Sequence, residues 1–339
     1  KAEHLDGDAV RTIFPKTGFS KEERNGHIRR IGYLASMMER SGVIVIASFE
    51  AQINKKADFK LNTNTKYLVL GHSHPECAFN DSFITQLKNL SESAESYYYT
   101  YFKAKKVIEQ NPSIETVFIE FTNNQINESM NDWIWEEAYI DYGYPKYAPF
   151  MNSTDKKVLI KNNLSGFLNS SSLSFKNNFS QILNQNYSYS NSIGGYLSLK
   201  TNKTDSLLGC MKTNAFKEKA IPLSEINLNY LSKLLRFCQE QGKNAILIRS
   251  PQHKKHSGYS NESTYQQIRN SRYSSIEYLD FSKFPLNNAE FGDLEHLNFK
   301  GAKIFSIWFD HLLNKGLLKQ KDKQVYINKE IKARMRNNI

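Results

Sequence analysis

The chain has 339 residues, of which 40% are hydrophobic and 13% aromatic, enough apolar material for one large domain or two of ordinary size. With 23% charged residues and a mean hydropathy of −0.58, it is neither an intrinsically disordered chain nor an integral membrane bundle. Residues 315–336 contain eight basic and two acidic residues and so carry +6 of the net charge of +11. The rest of the chain is only mildly basic, and we expect no nucleic-acid partner.

The cysteines and the apolar runs set further limits. Cys77, Cys210 and Cys238 are odd in number and far apart, so we expect buried free thiols rather than a disulfide framework or a zinc knuckle. The longest apolar runs, residues 43–47 and 67–70, are much shorter than the roughly 18 residues of a membrane helix, so we expect no membrane span. No signal or anchor is evident, so the chain as given would be cytoplasmic, and its compartment stays open.

Residues 1–50 are predicted to form a piece of an α/β unit. The pattern indicates a strand end at His4 and Leu5, an amphipathic helix over Lys21–Arg40 and a strand over residues 43–49. The most specific sequences are Leu5-Asp6-Gly7-Asp8-Ala9-Val10-Arg11, Gly18-Phe19-Ser20, Glu23-Arg24-Asn25, Ile28-Arg29-Arg30 and Ile44-Val45-Ile46-Ala47-Ser48-Phe49. In these sequences the segment closely resembles the middle of adenylylsulfate (APS) kinases.

The resemblance implies roles for four residues. Asp8 would lie near the transferred phosphate, and Arg11, Phe19 and Arg24 would hold the adenylylsulfate. Arginine forks fit sulfate and phosphate oxygens, which suits this role. ATP and magnesium would be cofactors only if the segment were functional, and phosphoryl transfer needs a G-x-x-x-x-G-K-[ST] loop that these 339 residues do not contain. We therefore expect a truncated P-loop-kinase-like α/β fragment without kinase turnover.

A second α/β pattern begins at residue 66. The predicted elements are a strand over residues 67–70, helices from residue 75 and over 93–110, a strand over 116–121, a helix over 223–241, strands over 245–248 and 276–280, and a helix over Phe299–Asn314. Ser73 follows the first of these strands on a tight turn, and Asn123 and Asn124 follow the next one. Open α/β sheets bind ligands at the carboxyl ends of their strands, so these residues are candidates for a site.

Two sequences at opposite ends of this pattern carry a second resemblance. Leu70-Gly71-His72-Ser73-His74 and Asp293-Leu294-Glu295-His296-Leu297-Asn298 resemble the SGNH (GDSL-like) hydrolase and acyltransferase superfamily, over roughly residues 62–318. The resemblance implies a three-layer α/β/α, flavodoxin-like parallel sheet without a cofactor. It also implies that Ser73 is the nucleophile, His296 the base and Asp293 the acid that orients the imidazole.

The spacing of the last two residues has a physical reason, because an acid three residues before a histidine can reach Nδ1 and leave Nε2 for the serine. The backbone N–H of Ser73 would supply one oxyanion donor, and the side chain of Asn123 or Asn124 is a candidate for another.

The chain departs from the family pattern at two points. His72 stands in place of the usual acid of the Gly-Asp-Ser block, and the stretch Leu90-Ser91-Glu92-Ser93-Ala94 lacks the expected glycine. One oxyanion donor is therefore unassigned. The alternative interpretation is that Ser73 caps a helix and His296 is a packed surface histidine.

Weaker features are open to more than one interpretation. His72, His74, His253 and His256 carry metal-ligand atoms, but the strand-turn context predicts divergent side chains for the first pair, so we predict no metal site. The Asn- and Ser-rich residues 162–206 are either a polar insertion that contacts substrate or a poorly ordered loop. An aromatic group would either stack on sugar rings or pack on the core: Trp133, Trp135, Tyr139, Tyr142, Tyr144 and Tyr147.

The predicted organisation is a kinase-like fragment at residues 1–50, a junction at 51–65, an SGNH-like domain at 66–318 that contains the polar insertion, and a solvated basic tail at 319–339. The predicted function is hydrolysis or transfer of an acyl group through an acyl-serine, with an acyl ester or polysaccharide as substrate. Two alternatives stay open: nucleotide or sulfate handling by the first segment, and a catalytically silent carbohydrate-binding protein on the same fold.

Overall fold

The structure, a computed structural model, describes residues 2–5, 20–40, 44–47, 49–189, 192–210, 221–256 and 261–337. The strands in these residues are β1 (Ala2–Leu5), β2 (Ile44–Ala47), β3 (Tyr67–Leu70), β4 (Leu87–Asn89), β5 (Thr116–Glu120), β6 (Asn244–Arg249) and β7 (Glu277–Asp280). The helices are α1 (Lys21–Arg40), α2 (Phe49–Lys56), α3 (Ser73–Ala78), α4 (Tyr97–Gln110), α5 (Asp132–Trp135), α6 (Glu137–Tyr147), α7 (Ser153–Asn162), α8 (Leu164–Asn184), α9 (Thr204–Cys210), α10 (Glu225–Glu240), α11 (Glu262–Arg272), α12 (Phe299–Asn314) and α13 (Lys323–Asn337). None of the described helices is both long and apolar enough to cross a membrane.

The chain divides into two compact units. The first, which we call the N-terminal unit, comprises Lys1–Phe59 and Ile134–Ser190, and the second, the sheet unit, comprises Lys60–Trp133 and Asn191–Ile339. The sequence predicted a first segment of residues 1–50 and did not assign residues 134–190 to it. That grouping depends on contacts between segments far apart in sequence, which local patterns do not encode.

In the N-terminal unit, β1 and β2 pair in parallel with Ala2 opposite Ile44. Helix α1 begins at a capping box, in which the Ser20 hydroxyl accepts the N–H of Glu23 and the Glu23 carboxylate accepts the N–H of Ser20. The helix predicted over Lys21–Arg40 is thereby confirmed with its bounds.

Residues 134–190 contribute helices to the same unit. Helix α8 is rich in Asn and Ser, yet it is a helix of 21 residues capped by the Asn163 side chain, which accepts the N–H of Gly166. Its buried residues recur every three or four positions, so one face packs inward. Lys156 pairs with Glu50 at 2.5 Å, and the Phe59 ring stacks on Tyr189, so residues 134–190 pack on the first 59 residues.

The sheet unit contains a five-stranded parallel sheet of order β4-β3-β5-β6-β7. Tyr67 of β3 pairs with Thr116 of β5, which pairs with Asn244 of β6. Counted from β3, this is the doubly wound order 2-1-3-4-5, in which the chain first adds a strand on one side of β3 and then crosses to the other. The predicted α/β class with a parallel sheet is confirmed.

Both faces of this sheet are buried, as parallel sheets require. Alternate side chains of β5 point to opposite faces, and Val117, Phe118 and Ile119 are all fully buried. On one face Phe118 lies in the core with Phe305 and Phe309 of α12. Helix α10 packs on β6 and on α4.

The C-terminal segment differs from the solvated tail that we expected at residues 319–339. Helix α13 buries Ile327 and Ile331, which lie one turn apart, in the core cluster of the sheet unit. The Gln324 side chain also bonds both the backbone N–H and the backbone carbonyl of Asp280. The basic residues dominate the composition of this segment, but two isoleucines at helical spacing are enough to anchor it.

Candidate active site

The turn after β3 presents Ser73 at the carboxyl edge of the sheet. Gly71 is required there because a Cβ at this position would lie 2.5 Å from the Cβ of Glu120 and 2.7 Å from the Cγ of Pro75. His72 is the N-cap of α3 and Ser73 is its first residue, so the cap that we considered for Ser73 is provided by His72 instead. Ser73 therefore sits beside the point where the strand order reverses, which is where open α/β sheets hold ligands.

Ser73, His296 and Asp293 are joined by hydrogen bonds. The Nε2 of His296 lies 2.8 Å from the Oγ of Ser73, and its Nδ1 lies 3.0 Å from both carboxylate oxygens of Asp293. A carboxylate only accepts hydrogen bonds, so the imidazole proton is on Nδ1 and Nε2 accepts the hydroxyl proton of Ser73. The structure thus brings together the three side chains that the sequence singled out.

Asp293 is held as an ionised acceptor. Its Oδ1 accepts the backbone N–H groups of Glu295 and His296 at 2.7 and 2.8 Å. Partial burial acts to raise the pKa of Asp293, but the ring and backbone donors outweigh it and lower this pKa to about 2. The carboxylate is therefore charged at any pH near neutrality and accepts the Nδ1–H of the His296 ring.

The loop that carries His296 is fixed on both sides. Gly292 donates its backbone N–H to the carbonyl of His296 at 2.8 Å. Asn298 caps α12 by accepting the N–H groups of Lys300 and Gly301, and its Nδ2 donates back to the carbonyl of Phe291. The asparagine two residues after His296 therefore ties the loop to the start of the helix.

The two oxyanion candidates, Asn123 and Asn124, differ in their surroundings. Asn123 is buried, and its amide donates to Glu262 at 2.9 Å while its oxygen accepts from Arg249 at 2.5 Å. Asn124 is half-buried, and its Oδ1 accepts the hydroxyl of Thr122 at 2.6 Å. Within the described residues the Nδ2 of Asn124 makes no hydrogen bond, so it keeps donors for a ligand.

The stretch without the expected glycine uses its backbone donors within the fold. Ser91 donates its N–H to Asn89, and Glu92 donates its N–H to the carbonyl of Gly71 at 3.0 Å. The fully buried Lys103 anchors this loop, because its Nζ lies 2.6 Å from the carbonyl oxygen of Leu90 and 2.6 Å from the carboxylate of Glu95. The N–H groups of Ser91 and Glu92 are therefore already used and are not available as oxyanion donors.

The histidines around Ser73 form a buried group. The Nε2 of His72 lies 3.1 Å from the hydroxyl oxygen of Thr122, and its Nδ1 accepts the backbone N–H of His74. The Nδ1 of His74 lies 2.7 Å from the amide of Gln252. Burial, reinforced by the neighbouring histidines, lowers the pKa of both His72 and His74 well below the usual range.

A possible metal-ligand group in the described residues is His74, Glu295 and His296, whose ligand atoms lie within 4.8 Å of one another. His253, one of the histidines that we considered, instead contacts Asn288 at 3.2 Å. Glu295 was not among the candidates because its side chain approaches His74 only through the fold. The prediction of no metal site stays a prediction.

The aromatic group divides between the two units. Trp133 belongs to the sheet unit, and its ring lies edge-on to His72 with centroids 5.9 Å apart. The others, Trp135, Tyr139, Tyr142, Tyr144 and Tyr147, belong to the N-terminal unit. Tyr144 and Tyr147 are buried there, which fits core packing rather than sugar stacking.

The kinase-like residues are only partly visible. Asp8, Arg11 and Phe19 lie outside the described residues, and Arg24 lies in α1 without a described side chain. Their arrangement into a binding site therefore stays a prediction.

Comparison with known proteins places the family similarity at the N-terminus. The adenylylsulphate kinase family model matches residues 1–79, and a second family model matches residues 200–318. The adenylyl-sulfate kinase of Rippkaea orientalis is 57% identical over 47 residues, which are 14% of this chain and 26% of that protein. That of Picosynechococcus sp. is 55% identical over 49 residues, and the probable adenylyl-sulfate kinase of Pyrococcus abyssi is 51% identical over 49, each covering 14% of this chain and 28% of the relative.

The chain thus spans about a quarter of the length of the curated relatives that it matches. The adenylylsulphate kinase similarity covers residues 1–79, whereas Asp293 and His296 lie in the part of the chain that the second model matches, residues 200–318. The chain therefore begins with an adenylylsulfate-kinase-like segment.

Proposed function

We propose that the sheet unit is a serine-dependent acyl-ester hydrolase or O-acyltransferase that works through an acyl-serine on Ser73. The observation that carries the proposal is the hydrogen-bonded chain from Ser73 through His296 to Asp293, with 2.8 Å between Oγ and Nε2. Its place at the carboxyl edge of a parallel sheet supports the same interpretation. The SGNH-like sequence blocks around Ser73 and His296 are the basis for assigning the superfamily.

The proposed reaction has two halves. In the first, Ser73 Oγ attacks the carbonyl carbon of the ester while its proton moves to Nε2 of His296. The tetrahedral oxyanion is stabilised by the backbone N–H of Ser73 and by Nδ2 of Asn124. The intermediate collapses to the acyl-serine, and the leaving alcohol takes the proton from His296.

In the second half, water or an acceptor hydroxyl attacks the acyl-serine while its proton moves to His296. The intermediate then breaks the bond to Oγ, which takes the proton back. Water as the attacking group gives hydrolysis, and a sugar hydroxyl gives transfer. An acyl ester or polysaccharide is accordingly the substrate class that we propose.

His296, rather than His72, fits the role of base. The Nδ1 of His72 lies 3.5 Å from Ser73 Oγ and already accepts a backbone N–H, whereas Nε2 of His296 lies 2.8 Å away. Because burial lowers the pKa of His72, the addition of a second proton to its neutral ring is strongly disfavoured. His296 has the carboxylate of Asp293 behind it, which His72 lacks.

Covalent labelling tests this proposal. A fluorophosphonate probe should label the chain, with the adduct found by mass spectrometry on the peptide that contains Ser73. Ser73→Ala should abolish the label, and Ser82→Ala, which removes an exposed serine of the same region, should leave it intact. An unlabelled parent chain would favour the silent carbohydrate-binding alternative.

A second candidate function belongs to the N-terminal segment. Its similarity to adenylyl-sulfate kinases, 57% over 47 residues in one relative, supports binding of adenylylsulfate or a related nucleotide by Asp8, Arg11, Phe19 and Arg24. ATP and magnesium would take part if a phosphate-binding loop were present. Calorimetric titration with adenylylsulfate tests this candidate, with Arg11→Ala expected to remove any binding and Arg236→Ala, an exposed arginine of the sheet unit, as the control.

A further inference from the structure

A second chain of hydrogen bonds runs from the turn of Ser73 to Asn124. The Nε2 of His72 lies 3.1 Å from the hydroxyl of Thr122, and that hydroxyl lies 2.6 Å from Oδ1 of Asn124. His72 is fully buried and Thr122 is 1% exposed, so water does not compete for these bonds. These hydrogen bonds connect the residues that follow β3 with those that follow β5, next to the proposed nucleophile Ser73.

The hydrogen bond from the backbone N–H of His74 to His72 determines the donor and the acceptor in each of the other two hydrogen bonds. The backbone N–H of His74 can only donate, so Nδ1 of His72 accepts and the neutral ring carries its proton on Nε2. Nε2 therefore donates to Thr122, and the single hydroxyl proton of Thr122 is directed onward. It goes to Oδ1 of Asn124 at 2.6 Å rather than to Gln125, whose oxygen lies 3.4 Å away.

The orientation of the Asn124 amide is fixed as a consequence. Because its oxygen accepts from Thr122, its Nδ2 is turned away from Thr122 and keeps both N–H groups for another acceptor. If the amide were reversed, Nδ2 would face a hydroxyl that already accepts from His72. The hydroxyl proton would then have only the long contact to Gln125.

We propose that His72 and Thr122 are positioning residues that orient Asn124 as the second oxyanion donor for Ser73, an inference that rests on the proposed function. Thr122 has no contact with Ser73 Oγ among the described hydrogen bonds, and His72 approaches it only at 3.5 Å, through an Nδ1 that already accepts the N–H of His74. Both residues therefore act through the amide. The proposal also gives a role to the histidine at the position of the usual acid. An aspartate there would only accept, so the Thr122 hydroxyl would donate to it and the Asn124 amide would lose the partner that fixes its oxygen.

The test is a double-mutant cycle on the rate of acyl-ester turnover and of fluorophosphonate labelling. Asn124→Ala should lower kcat/KM by about 10²-fold or more, since one oxyanion donor is lost. Thr122→Val should lower it by about 10-fold, mainly in kcat, and Thr122→Ser should restore it, because the hydroxyl returns. In the Asn124→Ala background, Thr122→Val should have almost no further effect, since its role is exercised through the missing amide.

Two substitutions of His72 separate the effects of its two hydrogen bonds. His72→Asn keeps an acceptor in the place of Nδ1, so the N-cap of α3 survives, but it removes the donor to Thr122. We expect an unchanged melting temperature and a loss similar to that of Thr122→Val. His72→Gln keeps a donor that can reach Thr122 and loses the cap, so it should lower the melting temperature and retain more of the rate.

The outcomes separate the two proposals. Additive losses from Thr122→Val and Asn124→Ala, or full activity of His72→Asn, would overturn the positioning role while labelling of Ser73 continued to support the hydrolase. A parent chain without labelling or turnover would overturn the proposed function and this inference with it.

Discussion

Ser73 and His296 would act as one unit, since the hydroxyl of one donates to the ring of the other at 2.8 Å. Each substitution disables the same proton transfer, so their effects should not add. We expect Ser73→Ala and His296→Ala each to lower acyl-ester turnover by roughly 10³-fold or more, and the double variant to lower it little further. Steady-state kinetics on an activated ester measure this, and near-additive losses would mean that the two residues act independently.

Glu120 is a buried carboxyl group that packs against Gly71, in the turn that carries Ser73. Its oxygens contact the backbone N–H and the hydroxyl of Ser250, and burial raises its pKa to about 8. The folded chain therefore keeps a proton that the unfolded chain releases above about pH 4, so stability falls as pH rises between about pH 4 and about pH 8.

The variant Glu120→Gln tests that assignment, because it keeps the shape of the side chain and removes the titration. Urea unfolding should show that the parent loses more free energy of unfolding than Glu120→Gln when the pH is raised from 6 to about 9. Equal losses in the two chains would mean that Glu120 is ionised in the folded state.

The resemblance of two short sequence blocks singled out Ser73, Asp293 and His296, but it did not indicate Thr122 or separate Asn124 from Asn123. The reason is that a Gly-x-Ser turn and an Asp-x-x-His sequence are recognisable from local sequence. The environment of the two asparagines is set by Arg249 and Glu262 on one side and by His72 on the other, all distant in the chain. Only the folded sheet brings those groups to the same edge.

The helices and strands that were predicted correctly are those with clear signals in the local sequence. Helix α12 was predicted with its bounds because an Asn cap precedes a continuous apolar periodicity, and β3 because four apolar residues end at a glycine. Strand β4 was missed, since Leu87–Asn89 has neither alternation nor an apolar run. It exists because it pairs with β3 and because Asn89 bonds the carbonyls of Pro75 and Phe79.

Helix α13 provides a stability test at this scale. Ile331 is buried in the core of the sheet unit, whereas Val325 on the same helix is 62% exposed. Ile331→Ala should lower the free energy of unfolding by about 2–4 kcal/mol, because a cavity replaces a packed side chain. Val325→Ala is the control and should change it by less than about 0.5 kcal/mol. Urea denaturation monitored by circular dichroism compares the two, and a similar small change for both would return α13 to the status of a solvated tail.

For the whole molecule, the 339 residues hold no G-x-x-x-x-G-K-[ST] sequence, so backbone donors for a triphosphate are not supplied by that motif. We expect calorimetric titration of the full chain with ATP and magnesium to show no binding at millimolar concentrations. Micromolar affinity that depended on magnesium would restore phosphotransfer as a function of this chain. The result is independent of the labelling of Ser73, because the two proposed sites belong to different units.

The interleaving of the two units has a consequence for the order in which a ribosome delivers them. Synthesis of the N-terminal unit is finished once the ribosome has passed Ser190. The hydrogen bond between Ser73 and His296, by contrast, cannot form until His296 has been synthesised, 223 positions after Ser73. Domains commonly begin to fold during synthesis, so the first unit can close while the sheet still lacks β6 and β7. During that interval the nascent chain lacks Asp293 and His296, so the Ser73 hydroxyl would have no base to take its proton until residues 293–296 have been synthesised.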